Sequence, residues 1–282
     1  ETMKNIALYK DILENYDSMA AVIIKDMDAI KKEYGRKRRT AIENAEEVVY
    51  EEKKMEEMEV CFLMDRFGYM KLIDKNAYER NKEAVHNENK YVFNCMNTDK
   101  ICIFTDTGKM HTIKAVDIPL GRFRDKGTPV DNLSNYDSSQ ERMLYVAPVG
   151  QLRSDRLLFV TKTSMCKLVE GAEFDVAKRT IASTKLADED ELIFIGSASE
   201  MEQIVLQSHG GCFLRFLTQE VSTMKKTALG VRGMKLADDD YLEHAYLLAG
   251  HQEYTISYHD KEYALNKVRL AKRDTKGIKP RI

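Results

Sequence analysis

The sequence predicts an all-β ring of about five four-stranded blades, of propeller or solenoid type, preceded by one long α-helix. Three observations predict it. Lys185-Leu186-Ala187-Asp188 returns 50 residues later as Lys235-Leu236-Ala237-Asp238, each time within a β-rich unit, and a period near that length marks a repeat architecture. Five stretches carry copies of the first half of that unit, an apolar strand, a turn and a strand bearing a base. The first 40 or so residues follow a period of three and four instead.

The helix comes first in the chain and is assigned to residues 1–45. Leu8, Ile12, Tyr16, Met19, Ile23, Met27, Ile30 and Tyr34 place one apolar stripe along it. A lone stripe cannot bury itself, and no later segment offers a partner helix. The pattern therefore points to a piece of a larger protein, its first residues the return arm of a helical hairpin. From Glu43 to Glu59 eight glutamates stand against Lys53 and Lys54. Residues 46–59 read as a solvated acidic hinge, with an acidic segment competing for basic sites as the alternative.

Residues 60–282 carry the repeats. The hairpin copies begin CFLMDRFGYMKLI at Cys61, CIFTDTGKMHTI at Cys102, LFVTKTSMCKLV at Leu158, VLQSHGGCFLRF at Val205 and ISYHDKEYALNKV at Ile256. β-Branched and aromatic residues alternate on both sides of short turns, with Gly68, Gly108 and Gly210 where positive φ is expected. Second halves such as VFNCMNTDK from Val92 and LSNYDSSQERMLYVAPV from Leu133 add further strands. Small antiparallel sheets arranged in a ring leave only short, protected edges.

Composition narrows the chemistry. With 43% hydrophobic and 32% charged residues, 282 residues amount to one domain of ordinary core plus an appendage. No run suits a membrane span or a signal peptide. Cys61, Cys95, Cys102, Cys166 and Cys212 form no C-x-x-C pair and read as reduced core thiols of a cytoplasmic protein. His86, His111, His209, His244, His251 and His259 show no ligand spacing, so no metal site is expected. Ser208-His209-Gly210-Gly211 reads as a hairpin turn, because no helix follows to make a phosphate cradle.

The net charge of -2 conceals a segregation. Eight bases against two acids fill Lys261 to Ile282, and Arg122, Arg124 and Lys126 follow Pro119 in a loop. Each repeat also places a base on its second strand: Lys71, Lys109 with Lys114, Lys167, Arg215, and Lys267 with Arg269. Bases at equivalent places in successive blades build a stripe that can follow a bent phosphate backbone without reading bases. The competing reading is that any exposed strand carries Lys or Arg.

The segment from Tyr9 to Asn44, with Tyr34-Gly35 and Arg38-Arg39-Thr40, resembles the end of the breakage-reunion region of the A subunit of bacterial type IIA topoisomerases, DNA gyrase and topoisomerase IV. GYMKLI, IFTDTGKMHTIKAVDIP, GVRGMKLADDD and RDTKGIKPR are similar to repeats of that subunit's C-terminal β-pinwheel, a propeller-like disc that binds and bends DNA. The resemblance implies a non-catalytic DNA-binding domain, since the active-site tyrosine belongs to other sequence of the parent protein. The partners it implies are double-stranded DNA, the rest of the A subunit, its dimer mate and the ATPase B subunit. It implies no membrane, and a cytoplasmic, nucleoid-associated place. No cofactor is expected in this chain, with ATP and Mg confined to the parent enzyme.

The gyrase branch carries a glycine-rich basic box in its first blade, whereas Tyr78 to Lys90 contains no glycine and only Arg80 and Lys82 echo its charge. Topoisomerase IV is therefore favoured over gyrase with handed wrapping. The expected DNA surface adds Arg232, Lys235, Lys272 and Arg273 to the bases named above. A propeller that binds proteins is the rival class. An enzyme is disfavoured, because Asp188-Glu189-Asp190 and Asp238-Asp239-Asp240 recur with the repeat and read as blade connections rather than metal sites.

Overall fold

A computed structural model of the chain describes residues 1–40, 56–250 and 253–280. The chain divides into two compact units, Glu1–Lys54 and Met55–Ile282. The acidic hinge expected at residues 46–59 lies outside the described residues as far as residue 55.

Among its described residues the first unit has two helices rather than the single one expected: α1 (Thr2–Glu14) and α2 (Tyr16–Tyr34). Asn15 breaks them apart. Its backbone is extended (φ -112, ψ 116), its amide closes α1 on Asp11 O, and its side chain accepts the Asp17 amide at 3.1 Å. Asparagine is a poor helix interior residue and a strong N-cap, so one side chain ends one helix and starts the next. The periodicity survives the break, and Leu8, Ile23, Met27 and Ile30 are exposed.

The second unit is built from five antiparallel hairpins. They are β1–β2 (Glu59–Asp65, Tyr69–Asp74), β4–β5 (Lys100–Thr105, Lys109–Lys114), β8–β9 (Arg156–Thr161, Met165–Glu170), β12–β13 (Gln203–Ser208, Phe213–Leu217) and β16–β17 (Thr255–Tyr258, Lys261–Ala264). A third strand returns beside the first strand of four of them: β3 (Asn89–Met96), β7 (Met143–Pro148), β11 (Leu192–Ser197) and β15 (Leu242–Leu248). These third strands touch one another from sheet to sheet, β3 with β7, β7 with β11 and β11 with β15, which puts them at the centre of the ring.

The fourth strand of each sheet comes from further along the chain. β6 (Thr128–Pro129) leaves the second hairpin to edge the first sheet, β10 (Thr180–Ala182) leaves the third to edge the second, and β14 (Val231–Arg232) leaves the fourth to edge the third. After the fifth hairpin, Ile278 bridges back to Phe213 of the fourth sheet. Among the described residues five sheets thus form as expected, but three have four strands, the fourth has three with that bridge, and the fifth has two. The repeated Lys-Leu-Ala-Asp tetrads sit where an edging strand turns back toward the centre, between β10 and β11 and between β14 and β15.

Apolar cores lie between successive sheets. Phe62, Met70, Ile101 and Ile113 join the first to the second, Phe104, Phe159 and Phe174 the second to the third, and Leu158, Leu206 and Phe216 the third to the fourth. The hairpin turns take the positive φ expected of them at Gly68 and Gly108, but in the fourth hairpin at Gly211 rather than Gly210. In the third, Ser164 adopts φ 72, and its buried hydroxyl accepts the Met234 amide at 2.7 Å. The four cysteines on core strands are buried, Cys212 is half-buried, and all are free.

Candidate nucleic-acid interface

The chain that crosses from one hairpin to the edge of the preceding sheet follows one plan. A short 3-10 turn ends on a buried apolar anchor, Ile118, Phe174, Val221 or Val268. Four residues after each anchor stands an exposed base: Arg122, Lys178, Lys225 and Lys272. In three crossings a tight turn holds that base outward. Asp125 N donates to Arg122 O at 3.0 Å, Ala228 N to Lys225 O at 3.0 Å, and Thr275 Oγ1 to Lys272 O at 3.0 Å. Glycine follows five residues later with positive φ, at Gly127, Gly230 and Gly277, where the loop lies directly on a strand carbonyl. The second crossing lacks this loop and runs straight into β10.

Four of the bases expected on a DNA surface are turned inward. The Nζ of Lys71 donates to Phe123 O and Asp125 O, and that of buried Lys167 donates to Lys226 O and Ala228 O at 2.7 Å each. Each ammonium sits beneath a crossing loop and satisfies carbonyls that no strand could pair. Burial lowers the Lys167 amine to about 8 and lowers that of Lys71 in the same direction. Arg215 reaches Gln203 Oε1, Asn266 O and Val268 O. Arg273 donates through Nε to Glu220 O and through Nη1 to Arg232 O. The expected stripe of second-strand bases is thus partly a set of ties. A strand edge that looks solvated in sequence is covered by a segment some fifty residues further on.

His111 occupies in the second hairpin the place of Lys71 and Lys167. It is buried, with Nε2 3.1 Å from Glu141 Oε2 and Nδ1 3.1 Å from Thr180 Oγ1 of β10. Lys109 Nζ reaches Glu141 Oε1 at 2.9 Å. Burial pushes the Glu141 carboxyl up, but the hydrogen bonds from Lys109 and His111 outweigh it and hold the group at about 2.

The remaining expected bases are exposed. Arg122, Arg124 and Lys126 lie on the first crossing loop, with Lys126 Nζ 4.4 Å from the Tyr69 ring centroid. Lys114 precedes the first 3-10 turn, while Lys267 and Arg269 flank the fourth anchor, and Lys272 follows it. Lys235 lies in the Lys-Leu-Ala-Asp segment, and Arg232 on β14 pairs with Asp274, Nη2 to Oδ2 3.0 Å. Lys178, Arg179 and Lys225 are exposed rim bases that the strand-by-strand reading missed. The signal was present as a base four residues beyond each anchor, visible only once the crossings are aligned on those anchors.

The stretch from Tyr78 to Lys90 is mainly helical. α3 (Lys75–Arg80) is capped by Asp74, whose side chain accepts the Ala77 amide at 2.8 Å, and α4 (Lys82–Glu88) buries Val85 against Cys61, Leu63 and Ile73. Helix-forming residues without glycine leave no loop there, and Arg80 and Lys82 stand exposed on these helices. The two acidic triplets act as blade connections. Asp190 accepts from Thr163 N and Oγ1, and Asp240 from Gly210 N, each tying a hairpin turn. Among the described residues no group of three or more His, Cys, Asp or Glu could hold a metal ion, and no helix is long and apolar enough to cross a membrane.

Residues 99–138, 155–199 and 202–249 match the family model described as DNA gyrase C-terminal domain, beta-propeller. The gyrase A protein of Clostridium acetobutylicum is 30% identical over 244 residues, covering 83% of this chain and 29% of that protein. The β-rich unit is a C-terminal domain of the type IIA topoisomerase A-subunit family. The gyrase A protein of Lawsonia intracellularis is 26% identical over 298 residues, covering 99% of this chain and 36% of that protein. The chain spans about a third of the length of such relatives. Among solved structures, the C-terminal domain of DNA topoisomerase IV superposes with a TM-score of 0.69 at 22% identity, covering 79% of this chain and 73% of that one. The DNA gyrase A C-terminal domain does so with 0.53 at 19%, covering 78% and 76%.

Proposed function

We propose that this chain binds double-stranded DNA along the rim of its ring and bends it beside the breakage-reunion core of a type IIA topoisomerase, presenting a second duplex for passage. The observation that carries the reading is the exposed base four residues beyond every anchor, Arg122, Lys178, Lys225 and Lys272, which repeats around the ring. Bases so placed follow a backbone in steps and carry no base readout, so binding is sequence-tolerant and falls steeply with salt. Arg124, Lys126, Lys114, Lys267, Arg269, Lys235, Arg80 and Lys82 extend the surface. The domain contributes no chemistry of its own. The active-site tyrosine, ATP and Mg belong to the remainder of the A subunit, its dimer mate and the B subunit, in the cytoplasm on the nucleoid.

Topoisomerase IV is the favoured parent, supported by α3 and α4 in place of a glycine-rich loop. The test is binding to relaxed circular DNA across a salt series, then closure with a nicking-closing enzyme to count trapped supercoils. Binding with few trapped supercoils supports this reading. Many supercoils of one hand return the chain to gyrase, and absence of binding at low salt leaves a protein-binding propeller.

A further inference from the structure

The third crossing is latched to the second, and the fourth to the third, by a contact that recurs at a constant separation of 53 residues. Lys226 N donates to Glu173 Oε2 at 3.1 Å, and its Nζ donates to Glu173 O at 2.9 Å. Arg273 N donates to Glu220 Oε2 at 2.9 Å, and its Nε donates to Glu220 O at 3.1 Å. In both, the acid lies in the 3-10 turn immediately before the anchor of one crossing, and the base belongs to the next. The bond is reciprocal, since the carboxylate takes the backbone amide while the base takes the acid's own carbonyl. The first crossing has Phe123 where the base would stand.

Each latched residue is the immediate neighbour of an exposed rim base, Lys225 beside Lys226 and Lys272 beside Arg273. A carboxylate fixed on the backbone amide of residue 226 or 273 sets the direction in which the preceding side chain leaves the loop. We infer that Glu173 and Glu220 are positioning residues for DNA binding, each aiming the rim base of the following blade. The inference rests on the rim reading above. Its acids carry the charge that repels DNA, so a reading from charge alone gives the opposite sign: removing them would tighten binding.

The experiment compares Glu173→Ala with Glu220→Ala as a pair, the pair Glu173→Gln with Glu220→Gln, and Lys225→Ala with Lys272→Ala, in the whole chain. Binding to a duplex is titrated at several salt concentrations, and thermal unfolding checks that each variant folds. The expected result is that the paired alanine variant binds about fivefold more weakly, the loss of two modest hydrogen bonds, despite its lower negative charge. Its salt slope should fall by roughly 1 to 2, as phosphate contacts are lost. The glutamine pair keeps an oxygen to accept both amides and restores binding and slope. If the alanine pair binds as well as the parent, or tighter, while the lysine variants are weakened, the positioning role is overturned and the rim stands. Equal losses in the alanine and glutamine pairs overturn it as well. If the lysine variants bind like the parent, the rim reading falls and takes this inference with it.

Discussion

Lys167 and Lys225 are both lysines of the third-to-fourth sheet region, yet they answer to opposite physics. Lys167 is 1% exposed and its ammonium completes the carbonyls of Lys226 and Ala228, whereas Lys225 projects into solvent. Lys167→Met takes the ammonium from Ala228 O and leaves Lys226 O with the Lys185 amide at 3.2 Å; it is expected to destabilise by about 1–3 kcal/mol in urea titration, against less than about 0.5 kcal/mol for Lys225→Ala. The pH dependence has a definite sign. Burial lowers the Lys167 amine to about 8 in the folded state from 10.5. Between those values the unfolded chain holds a proton the folded chain has released, so stability relative to Lys167→Met rises with pH across that window. A flat difference would contradict the burial.

Glu141 gives the same sign at the acid end of the scale. Its folded value near 2 lies below the ordinary 4.5, so its contribution is complete above 4.5 and is lost as pH falls toward 2. Glu141→Gln should remove that acid-side loss, as followed by fluorescence or circular dichroism during acid titration. Sequence could name these residues but not sort them. A lysine on the third residue after a hairpin turn reads the same whether its strand edge meets water or a returning loop.

The crossing loop is the element on which the proposed interface depends. A Cβ at Gly230 would lie 2.7 Å from Cys166 O, and φ there is 106. Gly230→Ala is expected to cost about 1–3 kcal/mol through backbone strain, with the close contact adding to it. Denaturant midpoints measure the loss, and DNA affinity should fall with it, because the loop carrying Lys225 must lift. The hairpins were legible from alternating apolar residues and turn glycines, and their five positions stand. What alternation could not show is which sheet an edge strand joins, because β6, β10 and β14 are only two or three residues long and carry too little pattern. The break at Asn15 escaped for a related reason, since a capping residue can interrupt a helix without disturbing its apolar period.

At the scale of the ring, the repeat fixed the architecture while the charge reading needed the structure. With Lys71, Lys167, Arg215 and Arg273 turned inward, the proposed surface rests on the exposed crossing bases Arg122, Lys178, Lys225 and Lys272. Reversing Arg122, Lys178, Lys225 and Lys272 to glutamate together should abolish duplex binding near physiological salt. Reversing any one should weaken every sequence alike, as read by fluorescence anisotropy on unrelated duplexes. Binding that survives the fourfold reversal would sink the rim reading. The exchanged edges carry one further consequence, for the chain as it is made. When β1, β2 and β3 have left the ribosome, the outer edge of their sheet is still bare, and β6 seals it only after β4 and β5 have emerged with a bare edge of their own. Each closure passes the opening one blade along, so the nascent ring carries at most two open outer edges, which migrate toward the newest residues, and aggregation during synthesis has a moving target instead of five fixed ones.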